Sequence, residues 1–179
     1  MLVFWRKGFH ATSIPDLCGA MGVHEPSLYA AFGNKERLYV EAVRLYMRLA
    51  QSLLWRYLET GGTARAGMRD LLMATARELS RTDTHPNGCF ITLATVDEDM
   101  PVAVSNTIRH ARREWLEVLY GHLQKAVVDG ELPASTDIKS MSRFFQAIVQ
   151  SIGIQAHDGA NQAELEGMVA TAMTAWPKD

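Results

Sequence analysis

Residues 9–35 constrain this chain more than any other stretch. They read Phe-His-Ala-Thr-Ser-Ile-Pro-Asp-Leu-Cys-Gly-Ala-Met-Gly-Val-His-Glu-Pro-Ser-Leu-Tyr-Ala-Ala-Phe-Gly-Asn-Lys. The pattern predicts two short helices meeting at a tight turn. Ser13 is placed to cap the first, and Asp16 three residues later answers it as the other half of a capping box. Pro15 falls in the first turn, where a missing N–H does little harm. Ile14, Leu17 and Met21 share one face at helical spacing. Gly22 supplies a residue that can turn left-handed at a helix end, and Val23 points back inward. The second helix is expected to start near His24, Glu25 and Pro26 and to bury Leu28 and Phe32 at i, i+4. Ser27, Tyr29, Ala30 and Ala31 stay on its outer face, and Gly33-Asn34 ends it. This is the layout of a helix-turn-helix.

The surrounding residues sharpen the pattern. Gly8-Phe9, Ala11-Thr12-Ser13-Ile14, Asp16-Leu17, Gly22-Val23, Ser27-Leu28-Tyr29, Phe32-Gly33-Asn34-Lys35-Glu36 and Leu38 stand in fixed register. In that register the chain resembles the DNA-binding domain of the tetracycline-repressor (TetR/AcrR) family of bacterial transcription regulators. The motif covers about the first quarter of the chain; the remainder is similar to the family in architecture only. The resemblance implies an all-α fold with a three-helix DNA-binding domain over residues 1–46. A helical effector-binding and dimerisation domain then fills residues 47–179. In the family, side chains at the start of the second motif helix reach base edges and phosphates. Carried across, these are His24, Glu25, Pro26, Ser27, Tyr29 and Ala30. Ser27 and Tyr29 offer hydroxyls to phosphate oxygens, which fix register rather than sequence. Pro26 can touch a thymine methyl. Glu25 can accept from cytosine N4 but also repels phosphate. Thr12 and Ser13 lie at a helix N-terminus, where free N–H groups favour a phosphate, and Lys35 is placed similarly at the next helix start. The family's first helix is longer and follows a polar segment; here the sequence begins inside it, which predicts fewer N-terminal phosphate contacts.

Composition bounds the rest. A chain of 179 residues that is 47% hydrophobic can bury a full core. Residues 1–60 carry seven Lys/Arg against five Asp/Glu, and the remainder carries eleven against fifteen. A mildly basic head on an acidic body fits DNA contact at one end. Cys18 and Cys89 are too few for a disulfide framework. No apolar run approaches the ~20 residues of a membrane span, and no signal-peptide pattern appears. These features predict a cytoplasmic protein.

Helical periodicity continues to the end of the chain. Lys35 opens a long helix with Leu38, Ala42, Leu45, Leu49 and Leu53 on one side and Tyr39, Val43, Tyr46, Ala50, Leu54 and Tyr57 on another. So wide an apolar arc predicts a helix buried between neighbours, ended by Gly61-Gly62. A further helix spans residues 64–80. Pro86 and Asn87-Gly88 mark a turn, and residues 89–96 read as a short buried helix. Pro101 starts a long helix with Val104, Ile108, Ala111, Trp115, Leu119, Leu123 and Ala126 inward. Ser135 or Thr136 is expected to cap the next, and Pro177 to stop the last.

Three roles are open to the body. Small residues beside apolar rows on the last two helices suit a homodimeric four-helix bundle. Phe145, Ile148, Ser151, Ile152, Leu165, Met168, Ala172 and Trp176 are its candidate contacts. Met68, Leu72, Thr75, Phe90, Leu93, His110, Trp115, Phe144 and Ile148 are candidates to line a site for a small organic effector. Cys89, after a turn and at a possible helix start, is a candidate redox thiol. For an enzyme there are only two His–carboxylate pairs, His110 with Glu114 and His157 with Asp158. No HExxH, phosphate loop or GxSxG accompanies them, and no cofactor signature is present. The leading reading is a dimeric regulator that occupies a palindromic DNA operator until an effector binds. The alternatives are a small-molecule binding protein that does not read DNA, and a thiol-based sensor acting through Cys89.

Overall fold

The computed structural model describes residues 1–60, 62–94 and 99–177, and these are helical throughout with connecting turns. Helix α1 (Leu2–Ala11) is broken at Gly8, whose φ of 75° and ψ of 177° need a residue without a Cβ. The break turns Phe9 back toward the core, where Phe4, Trp5 and Phe9 are all buried. Phe4 and Phe9 both meet the Tyr39 ring edge-on, at 4.9 and 5.4 Å between centroids.

Helix α2 (Ile14–Met21) has the capping box its sequence predicts. Ser13 accepts from the Asp16 N–H, and Asp16 accepts from the Ser13 N–H. Gly22 is left-handed at φ 64°, ψ 32°. Leu17 is buried and Ile14 half-buried, but Met21 is exposed. By angle Met21 belongs to the inner stripe. It is the last helical residue, however, and the chain peels off at Gly22 so that Val23 takes the inward place. Helix α3 (Glu25–Phe32) hangs on Leu28, which is 1% exposed; burying a leucine this fully is worth about 1.5–3 kcal/mol.

Asn34 caps α4 (Lys35–Ala50) by accepting from the Arg37 N–H. The helix runs on through a π-helical turn (Gln51–Trp55) into α5 (Arg56–Glu59). One of the two predicted faces is buried from Tyr39 to Leu54; the other is buried at Leu38 and Ala42 and exposed from Leu45 onward. The buried stripe contains Tyr39, Val43, Tyr46 and Ala50, while Leu45, Leu49 and Leu53 are exposed. Leu45 and Leu49 lie about a quarter to a third of a turn off the centre of that stripe, where neighbouring helices cover them only in part.

Helix α6 (Ala64–Leu79), capped by Thr63, is central to the body and touches α5, α8, α9 and α10. A short α7 (Phe90–Leu93) follows. Residues 89–94 bear out the expected buried helix; residues 95 and 96 lie outside the described residues. Helix α8 (Val102–Val128) buries all seven residues of its predicted inward row. Asp137, rather than Ser135 or Thr136, caps α9 (Ile138–His157). Its carboxylate accepts from both the N–H and the hydroxyl of Ser140, bonds that hold its pKa below the usual range. Asn161 and Glu164 form a second capping box at α10 (Gln162–Ala172). A single 3₁₀ turn (Met173–Ala175) then brings Trp176 against Phe145.

Candidate nucleic-acid interface

The buried Leu28 fixes which side of α3 faces out. His24, Glu25, Pro26, Ser27, Tyr29 and Ala30 are all exposed, Tyr29 to 43%. They form one continuous surface at the start and outer side of the helix. Ser13 is exposed too, although its hydroxyl oxygen already serves the α2 cap. Thr12 and Lys35 correct the expectation. Thr12 is 1% exposed and donates its hydroxyl to the Gly8 carbonyl at 2.6 Å. The Lys35 ammonium donates to the Thr12 carbonyl at 2.9 Å and lies 4.5 Å from the centre of the Phe9 ring. A helix end leaves carbonyls unsatisfied, and these two side chains answer the end of α1 instead of facing a ligand.

Sequence reasoning did not find the ion pair that ties α1 to α2. The Lys7 ammonium donates to Asp16 at 2.7 Å. That bond, with the two from Ser13, holds the Asp16 carboxyl down to about 2. The signal was available as a lysine just before the Gly8 break and a carboxylate in the first turn of α2, but only the fold brings them together.

The body holds a small cavity of about 30 Å³. Thr75 and Trp115, both on the predicted effector list, line it. Tyr46, Cys89, Arg112 and Gln146 also line it and were not on that list. The Tyr46 hydroxyl donates to Cys89 Sγ at 3.1 Å, and burial pushes the Tyr46 phenol well above its ordinary value. Arg112 donates from Nη2 to the carbonyls of Ile91, Thr92 and Ala94 at 3.0–3.3 Å. The Gln146 amide in turn donates to the Arg112 carbonyl at 2.6 Å. The cavity wall thus ties α7 to α4, α8 and α9.

The other predicted effector residues scatter. Met68 and Leu72 are fully buried in the core and do not reach this cavity. Phe90 and Leu93 face a separate cleft of about 400 Å³ between α1 and α7. His110 points into solvent, its side chain 68% exposed beside Glu114. Phe144 is exposed and Ile148 half-buried. Helical period alone could not separate a wall from a packed core or an outer face.

Comparison with known proteins decides the lineage. The family described as "Bacterial regulatory proteins, tetR family" matches residues 1–42, and "Tetracyclin repressor-like, C-terminal domain" matches residues 68–174. The chain belongs to the TetR family. It is a DNA-binding transcriptional regulator and not an enzyme. The HTH-type transcriptional repressor ComR of Escherichia coli (strain K12) is 31% identical over 183 residues, covering 99% of this chain and 85% of ComR. A cysteine mutant of the TetR-family regulator CifR, solved with 26-bp double-strand operator DNA, superposes with a TM-score of 0.92 at 31% identity. That match covers 98% of this chain and 92% of CifR. The HTH-type transcriptional regulator YezE of Bacillus subtilis (strain 168) is 25% identical over 175 residues, 96% of this chain and 89% of YezE.

In this TetR-family chain the predicted dimer contacts need correction. Phe145, Ile152, Leu165, Ala172 and Trp176 are buried in the subunit's own core. Ile148, Ser151 and Met168 remain half-buried, with the Ser151 hydroxyl 4.0 Å from Met168 Sδ. The outer side of α9 instead carries Phe144, Ala147, Ile148, Ser151 and Ile154, with Phe144 39% and Ile154 45% exposed. Inner and outer rows of α9 are both apolar, so periodicity could not tell which one meets the subunit's own core. Among the described residues no group of His, Cys, Asp and Glu could hold a metal, and no helix is long and apolar enough to cross a membrane.

Proposed function

We propose that this regulator is a cytoplasmic repressor. It works as a homodimer, laying α3 of each subunit into the major groove of a palindromic operator. Residues 1–46 are the reading head and residues 47–179 the effector-binding and dimerisation body. The observation that carries this reading is the exposed face of α3, where Ser27 and Tyr29 hydroxyls and the Pro26 and Ala30 carbons surround a fully buried Leu28. The operator bound by CifR supports the same role for α3. The outer row of α9, Phe144 to Ile154, supports pairing of two subunits about a two-fold axis.

The body cavity is the proposed effector site. As it stands it has room for about two waters, so an effector must open it. Its wall suggests which chemistry does so. Arg112 Nε is buried with no acceptor among the described residues, so an effector carrying an acceptor oxygen gains most there. Opening would disturb the Arg112 bonds to α7. Phe90 of α7 packs on Trp5, Tyr39 and Tyr46, a direct route from the cavity to α1 and α4. Two states with different operator affinity are then linked to effector binding.

A second reading, a thiol sensor at Cys89, is favoured by one observation, the Tyr46 bond to its sulfur at the cavity wall. Burial of Cys89 to 7% exposure weighs against it. The deciding experiment measures binding to a palindromic duplex selected from genomic fragments, across a salt series. A DNA reader loses affinity steeply as salt rises. A small-molecule binder that does not read DNA shows no such binding at any salt.

A further inference from the structure

We propose that Glu25 is a specificity-determining residue of the operator, selecting a cytosine in each half-site. The proposal rests on the reading that α3 lies in the major groove. Residues 11–34, the whole helix-turn-helix, contain no Lys or Arg and two carboxylates, Asp16 and Glu25. Asp16 is neutralised by Lys7 at 2.7 Å and occupied by the Ser13 N–H. Glu25 is the first residue of α3, is exposed, and has no ion-pair or hydrogen-bond partner among the described residues. Within residues 11–34 one charge is therefore left uncompensated, and it is negative.

A carboxylate against a polyanion weakens binding unless a base offers it a proton. In the major groove only cytosine N4 and adenine N6 do so. Adenine places its N7 acceptor beside N6, facing the second carboxylate oxygen. Cytosine places a carbon-bound hydrogen beside N4, which a carboxylate tolerates. Cytosine is the better match, with one Glu25 oxygen accepting from N4–H. Bidentate reading of guanine by Arg or Lys is not available, because α3 has neither. Its remaining outward groups are the hydroxyls of Ser27 and Tyr29 and the carbons of Pro26 and Ala30. The bland role of Glu25, an acid in the first turn of a helix, needs no particular base.

The test selects duplexes from a randomised pool with the full-length wild type, Glu25→Gln and Glu25→Ala. The wild type should enrich a palindrome with one cytosine at equivalent positions of the two half-sites, preferred roughly tenfold over other bases. Glu25→Gln, able to donate to N7 and accept from N6, should move that position to adenine. Glu25→Ala should lose preference there alone and bind random-sequence DNA more tightly than the wild type. Glu25→Gln keeps the side-chain length, so it carries the test even where Glu25→Ala melts early. The proposal is overturned when both variants keep the cytosine, or when the wild type enriches a palindrome without one. Failure of the wild type to enrich any palindrome would sink the groove reading itself, a distinct result.

Discussion

The reading head and the body are built from the same helical material but expose their chemistry differently. In the head, Leu28 buried beneath α3 leaves that helix a single outward face, on which Pro26, Ser27, Tyr29 and Ala30 lie. In the body, polar groups turn inward around a cavity of about 30 Å³ and hold one another. On the proposed reading the first arrangement already presents its groups to a duplex, whereas the second has to widen before an effector fits. The contrast implies that head variants change operator affinity or fold directly, whereas body variants change what an effector can do.

Removing the anchor of the head should break that contrast most severely. Leu28→Ala deletes a fully buried side chain and should cost about 2–5 kcal/mol, seen as an early melting step together with loss of operator binding. Next comes the clamp in the body. Arg112→Ala strips three carbonyls of their charged donor and should cost about 1.5–3 kcal/mol in denaturant unfolding. Operator binding by the fraction still folded should survive, but release by effector should not.

Tyr29→Ala sharpens the comparison from the other side. Its ring is exposed, so the melting midpoint should hardly move, while operator affinity should drop roughly tenfold, the size of one lost hydrogen bond to a charged phosphate. Equal binding by variant and wild type would remove Tyr29 from the interface. The smallest effect concerns acid. The folded Asp16 carboxyl is held near 2, below its unfolded value of about 3.9. Its stabilising contribution is therefore present above the unfolded value and is lost as pH falls through about 2. Asp16→Asn should melt slightly earlier than the wild type at neutral pH, and the two curves should converge as pH approaches 2.

The same division governs how much was legible in the sequence. Ser13, Asp16 and Gly22 act through backbone atoms three or four residues away, so spacing alone located them. The outward side of α3 followed from Leu28 and Phe32 in the same way. Thr12 and Lys35 resisted because their partners are the Gly8 and Thr12 carbonyls, exposed by a break in α1 that periodicity does not register. In the body almost every helix has two apolar sides. Leu45 and Leu49 look like Val43 and Tyr46, and Phe144 looks like Phe145, until the neighbours are in place. The effector candidates on α6 divided for that reason: Thr75 reaches the cavity and Met68 on the same stripe does not. Arg112 reads as a surface arginine until the end of α7 is seen against it.

The central claim is that the outer face of α3 meets the duplex. Hydroxyl-radical oxidation of side chains, read by mass spectrometry with and without a selected palindromic duplex, tests it directly. Tyr29 oxidation should fall sharply on DNA binding, while Phe144 and Ile154 on α9 keep their unbound rates. Tyr29 oxidised at the same rate in bound and free protein would contradict the account.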